Sequence, residues 1–401
     1  MLRINCLSEP AGGVERYIKE TDEHLLKLGH EVLTVEINST KKPGNDHNTD
    51  HIYVKGDPVR RLFGDVLPDE MVFNFLMDSY NKLKPDIIHI HHFRVSFMAV
   101  ARFVNSVHTP CVYTAHDAQL VCPISTLVLP DGRLCEGGIK TRCMFTGCKT
   151  GVNVPYEMYR IGIFNSLVKN RISAYICPSK AIKHYMKMFG YTPSIFVRSL
   201  PNMNLEALEK QDLGKENSIG FLGRVDRYKG LQYLVYALAQ VKSEIPDINL
   251  KIAGEGDYLP NIKELVEKLG LTNNVSFLGY LSKEFHKKFF SSIKFLVIPS
   301  IMIENIIFTA QEAFAYGRTV IASAVGGIPE IIENDVDGIL VPPANVKDLS
   351  QKIITLLYND EKLNLLSQNA YDKITKILQD KKLESDITEI YEQVLEQKPF
   401  D

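Results

Sequence analysis

Two short stretches in the second half of the chain contain residue types that could bind a diphosphate and a sugar. The first, residues 223–230, places Arg224 and Lys229 beside a glycine turn that follows an apolar run. The second places two carboxylates, Glu304 and Glu312, eight positions apart. Arg and Lys side chains bind phosphate oxygens, and carboxylates accept hydrogen bonds from hydroxyl groups. Together the two stretches predict a site for a sugar nucleotide.

Such a site could release a sugar, because the departing diphosphate gains negative charge as the glycosidic bond breaks. Cations and backbone N–H groups placed beside it stabilise the transition state more than the ground state. Arg224 and Lys229 could also be ordinary surface residues that follow a strand. The interpretation as surface residues is less favoured, because the pair Glu304 and Glu312 lies downstream.

The two glutamates are predicted to lie on either side of a helix start. Glu304 is expected in a loop that follows Ser300, and Glu312 inside a helix that ends at Tyr316, with Gly317 as its left-handed cap. The N-terminus of that helix would direct N–H groups at an anion. The alternative, two solvated glutamates around a helix, is disfavoured by the apolar residues that flank them, namely Ile306, Ile307, Phe308, Ala313 and Phe314.

Short apolar runs rich in β-branched residues alternate with longer amphipathic segments, which predicts a doubly wound α/β architecture that occurs twice. The domains are expected over residues 1–203 and 216–380, joined by the polar stretch 205–217. Ligands of such sheets bind beyond the carboxyl ends of the strands, so two facing sheets would imply a cleft. The predicted strands are residues 3–8, 32–37, 86–91, 111–115, 175–178, 194–198, 218–222, 250–253, 275–277, 295–298, 319–322 and 338–341, and a helix is expected over 14–28.

Composition and charge exclude several classes of protein. A chain of 401 residues with 45% hydrophobic and 23% charged residues is long enough for two globular cores. Its net charge of −2 is not that of a nucleic-acid binder. The apolar run at the start reaches Glu9 and Pro10 too soon for a signal peptide, and no segment has roughly 18 uninterrupted apolar residues. A cytoplasmic location is therefore expected.

The first half of the chain could contact a membrane peripherally. Residues 1–200 carry a net charge of +5 and the remainder −7, which suits an anionic acceptor or membrane surface, although a solvated mixed surface has the same composition. Segment 156–187 mixes apolar and basic residues, and could rest on the inner face of a membrane or divide into a core half and a solvated half.

Paired glycines occur at two predicted strand-to-helix junctions. Gly12 and Gly13 follow the first strand, and Gly326 and Gly327 follow the strand at 319–322. Glycine lets the backbone approach a ligand closely, although an ordinary turn would have the same sequence.

Histidines are placed at the predicted carboxyl edge of the first sheet. His116 follows the strand at 111–115, so it could bond a sugar hydroxyl or the developing charge at the reacting carbon, or be satisfied locally by Asp117. Histidines 89, 91 and 92 resemble a metal cluster, but alternation along a strand would turn His91 away from His92, which favours structural roles.

Four cysteines fall in a glycine-rich segment, 122–148, with the composition of a loop. Four thiolates could bind a structural zinc ion and stabilise a segment that has little core of its own. The sequence has no Cys-x-x-Cys spacing, so free thiols or a redox-dependent disulfide are alternatives. The candidate ligands are Cys122, Cys135, Cys143 and Cys148.

With these motifs in place, the chain resembles a retaining glycosyltransferase of family 4, also called glycosyl transferases group 1. That family has the GT-B fold, two Rossmann-like doubly wound parallel-sheet domains facing across a cleft. The resemblance covers nearly the whole length, and it rests on Gly12-Gly13, residues 84–89, residues 113–117, Gly223-Arg224, Lys229-Gly230, Glu304-Asn305, residues 311–313 with Gly317, and residues 326–330.

The resemblance implies a role for each matching residue. Arg224 and Lys229 would hold the donor diphosphate, Glu312 the ribose hydroxyls, and Glu304 and His116 the transferred sugar. Further donor contacts would come from the backbone at Asn305, Ile306, Ile307, Phe308, Gly326 and Gly327, from Gly12 and Gly13 of the other domain, and at the base from Gly279, Tyr280 and Leu281.

The resemblance also implies the reaction. A hexosyl group would pass from a nucleoside diphosphate sugar to a saccharide or lipid-linked acceptor, in polysaccharide or cell-envelope glycan synthesis. Retention would follow from front-side attack, with the leaving phosphate accepting the acceptor's proton. Neither a catalytic metal nor another cofactor would be required. A C-terminal helix within 381–401 would pack back on the N-terminal domain, which would bind the acceptor.

The sequence departs from the family pattern at Met203 and Asn204 and at Ile306 and Ile307, which bears on the identity of the donor sugar. Two other functions fit the same residues less well. One is a sugar-nucleotide epimerase of the same fold, and the other is a non-catalytic nucleotide-sugar-binding protein.

Overall fold

The structure is a computed structural model that describes residues 1–7, 13–38, 49–53, 69–138, 140–148, 153–196, 210–212, 216–379 and 382–396. It divides into two compact units. Unit 1 comprises Met1–Leu127, Glu136–Ser199 and Lys382–Asp401, and unit 2 comprises Val128–Cys135 and Leu200–Lys381. Among the described residues, no helix is both long enough and apolar enough to cross a membrane.

Unit 1 is built on a seven-stranded parallel sheet in the order β3-β2-β1-β4-β5-β6-β7. Among the described residues, a helix follows each of β1, β3, β4, β5 and β6, as parallel pairing requires. Its elements are β1 (Leu2–Leu7), α1 (Gly13–Lys27), β2 (Leu33–Asn38), β3 (Thr49–Tyr53), α2 (Glu70–Leu83), β4 (Ile88–Phe93), α3 (Phe97–Ser106), β5 (Cys111–Thr114), α4 (Asn153–Ile163), β6 (Ile172–Cys177), α5 (Lys180–Met188), β7 (Ser194–Phe196) and, after unit 2, α13 (Lys382–Leu395).

The local sequence explains where several of these elements begin and end. The Asp69 carboxylate accepts a hydrogen bond from the Met71 N–H at 3.1 Å and so caps α2. That helix stops at Lys84, which has φ +48° and precedes Pro85, a residue that disfavours helical geometry before it. Every residue of β4 is buried, because the strand lies inside the sheet and helices cover both of its faces.

The last helix, α13, packs on unit 1. Three of its apolar side chains, Ile387, Ile390 and Val394, join a buried cluster with Ala174 and Ile176 of β6. Each side chain of this kind contributes about 1.5–3 kcal/mol by leaving water. The C-terminal segment is therefore part of the core of unit 1, although unit 2 separates the two in sequence.

Removing the Tyr391 hydroxyl is expected to lower the free energy of unfolding by about 1–3 kcal/mol. This group on α13 lies 2.7 Å from Nδ1 of His89, whose Nε2 lies 2.7 Å from Oγ1 of Thr114. Tyr391→Phe keeps the apolar packing but takes a hydrogen-bond partner from a buried ring nitrogen. Urea unfolding would measure the loss. The control is Tyr358→Phe, whose exposed hydroxyl donates to the Glu244 carbonyl. Equal small losses in both variants would contradict the prediction.

Unit 2 contains a six-stranded parallel sheet in the order β10-β9-β8-β11-β12-β13. An apolar cluster formed by one face of the sheet and the helices that cover it makes up much of its core, with Leu234, Leu238 and Ile252 fully buried. Its elements are β8 (Ser218–Leu222), α6 (Leu231–Glu244), β9 (Asn249–Ala253), α7 (Leu259–Lys268), β10 (Val275–Gly279), α8 (Lys283–Ser291), β11 (Phe295–Ile298), α9 (Phe308–Ala315), β12 (Val320–Ser323), α10 (Ile328–Ile331), β13 (Gly338–Val341), α11 (Val346–Leu357) and α12 (Asp360–Gln379).

The predicted fold class, two doubly wound α/β units, is confirmed, and two strands differ most from the sequence-based expectation. The strand β3 was not predicted, because its sequence Thr-Asp-His-Ile-Tyr has no apolar run and it lies at a sheet edge. The strand β6 begins at Ile172, before the predicted start at 175. The boundary expected near residue 203 and much of the linker at 205–217 lie outside the described residues.

Residues 128–135 of the cysteine-rich segment belong to unit 2, which corrects their assignment to the N-terminal domain. Val128 and Leu134 pair in an antiparallel bridge. The reason for the reassignment is contact with α6 and the turn before it. The Arg227 guanidinium donates to the Pro130 carbonyl at 2.9 Å, and a Cβ placed on Gly132 would lie 3.3 Å from the Tyr233 hydroxyl.

Candidate functional site

The loop 223–230 follows β8 and presents both predicted cations. Backbone bonds hold its start against the loop after β9, with Gly223 N donating to Ala253 O at 3.0 Å and Val225 N donating to Glu255 O at 2.8 Å. The two loops touch so closely that a Cβ on Gly254 would lie 1.8 Å from the Gly223 carbonyl oxygen. Only glycine fits at that contact.

Arg224 lies on the surface of this loop. Its side chain is 65% exposed, and its Nε donates to Oδ2 of Asp226 at 2.8 Å. An exposed ion pair of this kind contributes little to stability. The guanidinium therefore keeps donors that could turn toward a phosphate group.

Lys229 lies in a short 3-10 turn just before α6, and it bonds the first of the two predicted glutamates. Its Nζ donates to Oε1 of Glu304 at 2.7 Å and to Oε2 at 3.0 Å. The Ser300 hydroxyl lies 2.5 Å from the same Oε1. Glu304 itself is 7% exposed, whereas the Lys229 side chain is 30% exposed. The structure thus brings together two predicted residues that are 75 positions apart, and adds Ser300, which the sequence indicated only as the start of the loop.

Backbone contacts set the distance between the loops that carry Lys229 and Glu304. Ile301 N donates to Tyr228 O at 3.0 Å. Gly230 has φ +74°, and a Cβ on it would lie 1.9 Å from the Pro299 carbonyl oxygen. These contacts place the loop after β8 directly against the loop after β11, its neighbour in the sheet.

The predicted glycine pair at 326–327 contacts the same glutamate. Gly327 N donates to Glu304 O at 2.7 Å. Gly326 has φ +60°, and a Cβ on it would lie 2.4 Å from Glu304 O and 2.6 Å from Glu304 N. The loops after β8, β11 and β12 therefore converge on Glu304 at the carboxyl edge of the sheet, where ligands of such folds bind.

Glu312 lies inside α9, and Gly317 has φ +70° beyond the end of that helix, both as predicted. The Glu312 side chain is buried, and its Oε2 lies 3.5 Å from Nδ1 of His286 on α8. Sequence reasoning missed His286, since no motif connects it with the second glutamate. It also missed Glu255, although the Gly-Glu-Gly triplet after β9 is a recognisable signal.

The segment expected to meet a base follows β10. Gly279 has φ +67°, and its carbonyl accepts from Gly254 N at 2.7 Å. A Cβ on Gly279 would lie 3.6 Å from the Glu255 carboxylate. Tyr280 next to it is 76% exposed, so its ring is available to a planar ligand.

His116 belongs to unit 1 and is almost completely buried at the end of β5. Its Nε2 lies 2.9 Å from Nδ1 of His91, and its ring stacks on both His91 and His92 with centroids 5.2 Å apart. Burial is the largest of several effects that hold the pKa of His116 well below its usual value, so the ring is neutral near pH 7. The expectation that alternation turns His91 away from His92 was wrong for this contact. The register between β1 and β4 shifts at that point, which brings both rings onto His116.

The remaining sequence predictions have mixed outcomes. Gly13 is the first residue of α1, while Gly12 lies outside the described residues. Over the described residues, the cysteines at 122, 135, 143 and 148 form no disulfide bond. Among the described residues, no three His, Cys, Asp or Glu side chains are grouped so as to hold a metal ion. The zinc site gains no support from this arrangement and stays a prediction.

Comparison with known proteins gives consistent matches over both units. A model of Glycosyltransferase Family 4 matches residues 11–199, and a model of Glycosyl transferases group 1 matches residues 205–373. An uncharacterized glycosyltransferase of Methanocaldococcus jannaschii is 26% identical over 385 residues, which cover 91% of this chain and 92% of the relative.

Two solved structures share the fold across almost the entire chain. Sucrose-phosphate synthase from Thermosynechococcus elongatus has a TM-score of 0.76 at 19% identity and covers 99% of this chain and 100% of its own. The HepE protein of Anabaena, in complex with UDP and glucose, has a TM-score of 0.72 at 16% identity and covers 98% of this chain and 100% of its own.

Proposed function

The chain belongs to the family 4 glycosyltransferases of GT-B fold, and we propose that it transfers a hexose from a nucleoside diphosphate sugar to a saccharide or lipid-linked acceptor with retention of configuration. The observation that carries this proposal is the bond from Lys229 to the buried Glu304 at the carboxyl edge of the unit 2 sheet. A buried ion pair gives little net stability over apolar packing, so its presence there suits a ligand site better than a structural one.

Lys229 would bind the donor diphosphate while it stays bonded to Glu304. A lysine ammonium has three donors, and the two Glu304 oxygens are both within 3.0 Å of it. Its partial exposure leaves room for a phosphate oxygen on the solvent side. Arg224 would turn from Asp226 to supply the second cation. The positive charge of these two side chains would take the place of a divalent metal ion as the leaving diphosphate forms.

Glu304, Glu312 and His116 would recognise the sugar parts of the donor. The carboxylate of Glu304 would accept from hydroxyls of the transferred hexose, and that of Glu312 from the ribose. His116 would touch the transferred hexose as a neutral ring. The leaving phosphate would accept the acceptor's proton, so that front-side attack retains the configuration.

The base would lie against residues 279–281, with Tyr280 contributing an exposed ring. Uridine is the first base to test, because the HepE structure holds UDP. The acceptor class remains the saccharide or lipid-linked glycan that the family resemblance implies. A lipid-linked acceptor would place the enzyme at the inner face of a membrane.

A thermal-shift panel of nucleoside diphosphates and their sugars tests the donor site. One base series is expected to raise the melting temperature by about 5–10 °C at 100 times its Kd, since such binding stabilises the folded state by about 2.7 kcal/mol. Arg224→Ala should reduce that shift at equal concentration, because a phosphate contact is lost.

Arg133→Ala is the matched control for this experiment. Arg133 is 79% exposed and its Nε donates to Oδ2 of Asp131 at 2.8 Å, the same geometry as Arg224 with Asp226. Its removal should leave the shift unchanged. A panel without any stabilising nucleotide would overturn the proposed donor site. Binding without transfer to any acceptor would favour the non-catalytic alternative, and conversion of the sugar without an acceptor would favour an epimerase.

A further inference from the structure

A line of buried polar groups in unit 1 connects the first strand with His116. Arg3 on β1 is fully buried, and its Nε lies 2.7 Å from Oδ1 of Asp22 on α1. Its Nη1 lies 3.3 Å from Nε2 of His91 on β4. The other ring nitrogen of His91, Nδ1, lies 2.9 Å from Nε2 of His116. A charged residue inside a central strand costs desolvation energy, so this placement calls for an explanation.

The chemistry of these groups settles where the protons are. A guanidinium has donors and no acceptor, so Nε2 of His91 must accept and carries no proton. A neutral His91 then has its proton on Nδ1 and donates it to Nε2 of His116. His116 accepts at Nε2, and its own proton is on Nδ1. One donor-only side chain thus determines the tautomers of two histidines.

We propose that Arg3 is a positioning residue for sugar transfer, because it fixes through His91 both the orientation of the His116 ring and the nitrogen that carries its proton. The catalytic part of this inference rests on the proposed function of His116. The structural part concerns the free protein and stands apart from it.

The surroundings keep the histidine rings neutral. A neutral ring can carry its proton on either nitrogen, so a neighbour must determine which one. Burial is the largest cause that lowers the pKa of His89, His91 and His116 well below their usual value, and Arg3 lowers all three further. Burial also raises the pKa of Asp22, while Arg3 acts in the opposite direction. The polar groups around the line come from each packed element: Asn5 on β1, Tyr17 and Asp22 on α1, His89 and His92 on β4, Thr114 and Asp117 at β5, and Tyr391 on α13.

Nitrogen NMR of the ligand-free protein tests the structural part. Long-range proton–nitrogen spectra of protein labelled at histidine distinguish protonated from unprotonated ring nitrogens, and a His116→Gln variant assigns the signals of His116. Wild type should show the His116 proton on Nδ1. His91→Phe should lose this preference, since the aromatic stack remains but the donor is gone.

His92→Phe is the matched control, because His92 stacks on His116 at the same 5.2 Å centroid distance but bonds Asn5 instead. It should leave the proton of His116 on Nδ1. A His116 proton on Nε2 in wild type would overturn the inference, whether or not the protein transfers sugar. An unchanged tautomer in His91→Phe would overturn it as well.

Kinetics test the catalytic part. Arg3→Met/Asp22→Asn removes the donor without leaving an unpaired carboxylate. It should lower kcat by about 10- to 100-fold with KM changed little, which is the range seen when a residue that orients a metal-bound histidine is removed. Arg3→Lys should restore most of kcat, because it supplies a donor and no acceptor. If the double variant loses the preference of the His116 proton for Nδ1 but keeps the wild-type kcat, Arg3 has no role in catalysis. Absence of transfer in wild type would instead count against the proposed function.

Discussion

Lys229→Met is expected to lower kcat/KM for sugar transfer by about 100- to 1000-fold, the range for removal of one group that stabilises a developing anion. The lysine is the only cation that the structure, over its described residues, bonds directly to Glu304. Its loss would leave the departing diphosphate with one neighbouring positive charge fewer. It would also take one hydrogen-bond partner from Glu304. Methionine keeps the aliphatic stem, so packing against the stem is retained.

Measurements of stability separate the effect of Lys229→Met on folding from its effect on sugar transfer. Lys229→Met alone should lower the free energy of unfolding by about 1–2 kcal/mol, because a buried carboxylate loses its cation while the pair is partly screened by solvent. Lys229→Met/Glu304→Gln should recover that stability and remain inactive.

The control for the charge is Lys362→Met. Lys362 also forms an ion pair, with Asp335 at 2.6 Å, and its side chain is 35% exposed, compared with 30% for Lys229. Transfer by the Lys362 variant should match wild type. Undiminished kcat/KM in Lys229→Met, with donor at saturating and limiting concentrations, would place the diphosphate elsewhere.

The second large effect is expected for Gly326→Ala, which should reduce kcat/KM by about 100-fold and the free energy of unfolding by about 2–4 kcal/mol. The added Cβ would meet the Glu304 backbone at 2.4 and 2.6 Å, and the residue would hold φ +60°. Overpacking typically costs 1–3 kcal/mol, and the left-handed conformation adds roughly 1 kcal/mol. The loop must move to relieve the contact, and a shift of about 1 Å in a positioning group can cost 10²-fold in rate.

Gly270→Ala separates backbone strain from the contact with Glu304. Gly270 has φ +64° and nothing within 4 Å of an added Cβ, so only the strain is introduced there. It should lose about 1 kcal/mol of stability and keep full activity. Urea unfolding and steady-state kinetics on both variants make the comparison. Equal loss of activity in the two would show that the close approach of Gly326 to Glu304 is unimportant.

Several strands and both glutamates lie where the sequence predicted them. The strands β8, β11 and β13 occur at the predicted residues, because each is an apolar run between polar turns. Glu304 in a loop and Glu312 in a helix were likewise read from local patterns. The edge strand β3 was missed, since an edge position needs few apolar residues and leaves a weak pattern.

Sequence patterns did not predict the contacts between segments that are distant along the chain. His286 has no motif that ties it to Glu312, and only the tertiary structure brings the two side chains together. The register shift between β1 and β4 is a property of two strands together, so alternation along β4 alone predicted that His91 turns away from His92 and missed that both rings stack on His116. The reassignment of residues 128–135 to unit 2 depends in the same way on contacts with α6 and the turn before it.

By itself, the amino-acid sequence determined the two parallel sheets, the loops at their strand ends and the chemical groups those loops carry, because periodicity and turn residues act over a few neighbours along the chain. Only the tertiary structure decided that Lys229 bonds Glu304, that Gly326 supports the same glutamate, and that Arg3 reaches His116 through His91. These contacts join segments 75, 22 and 113 positions apart in a 401-residue chain, and such distances are set by strand order and helix packing, which no local pattern records.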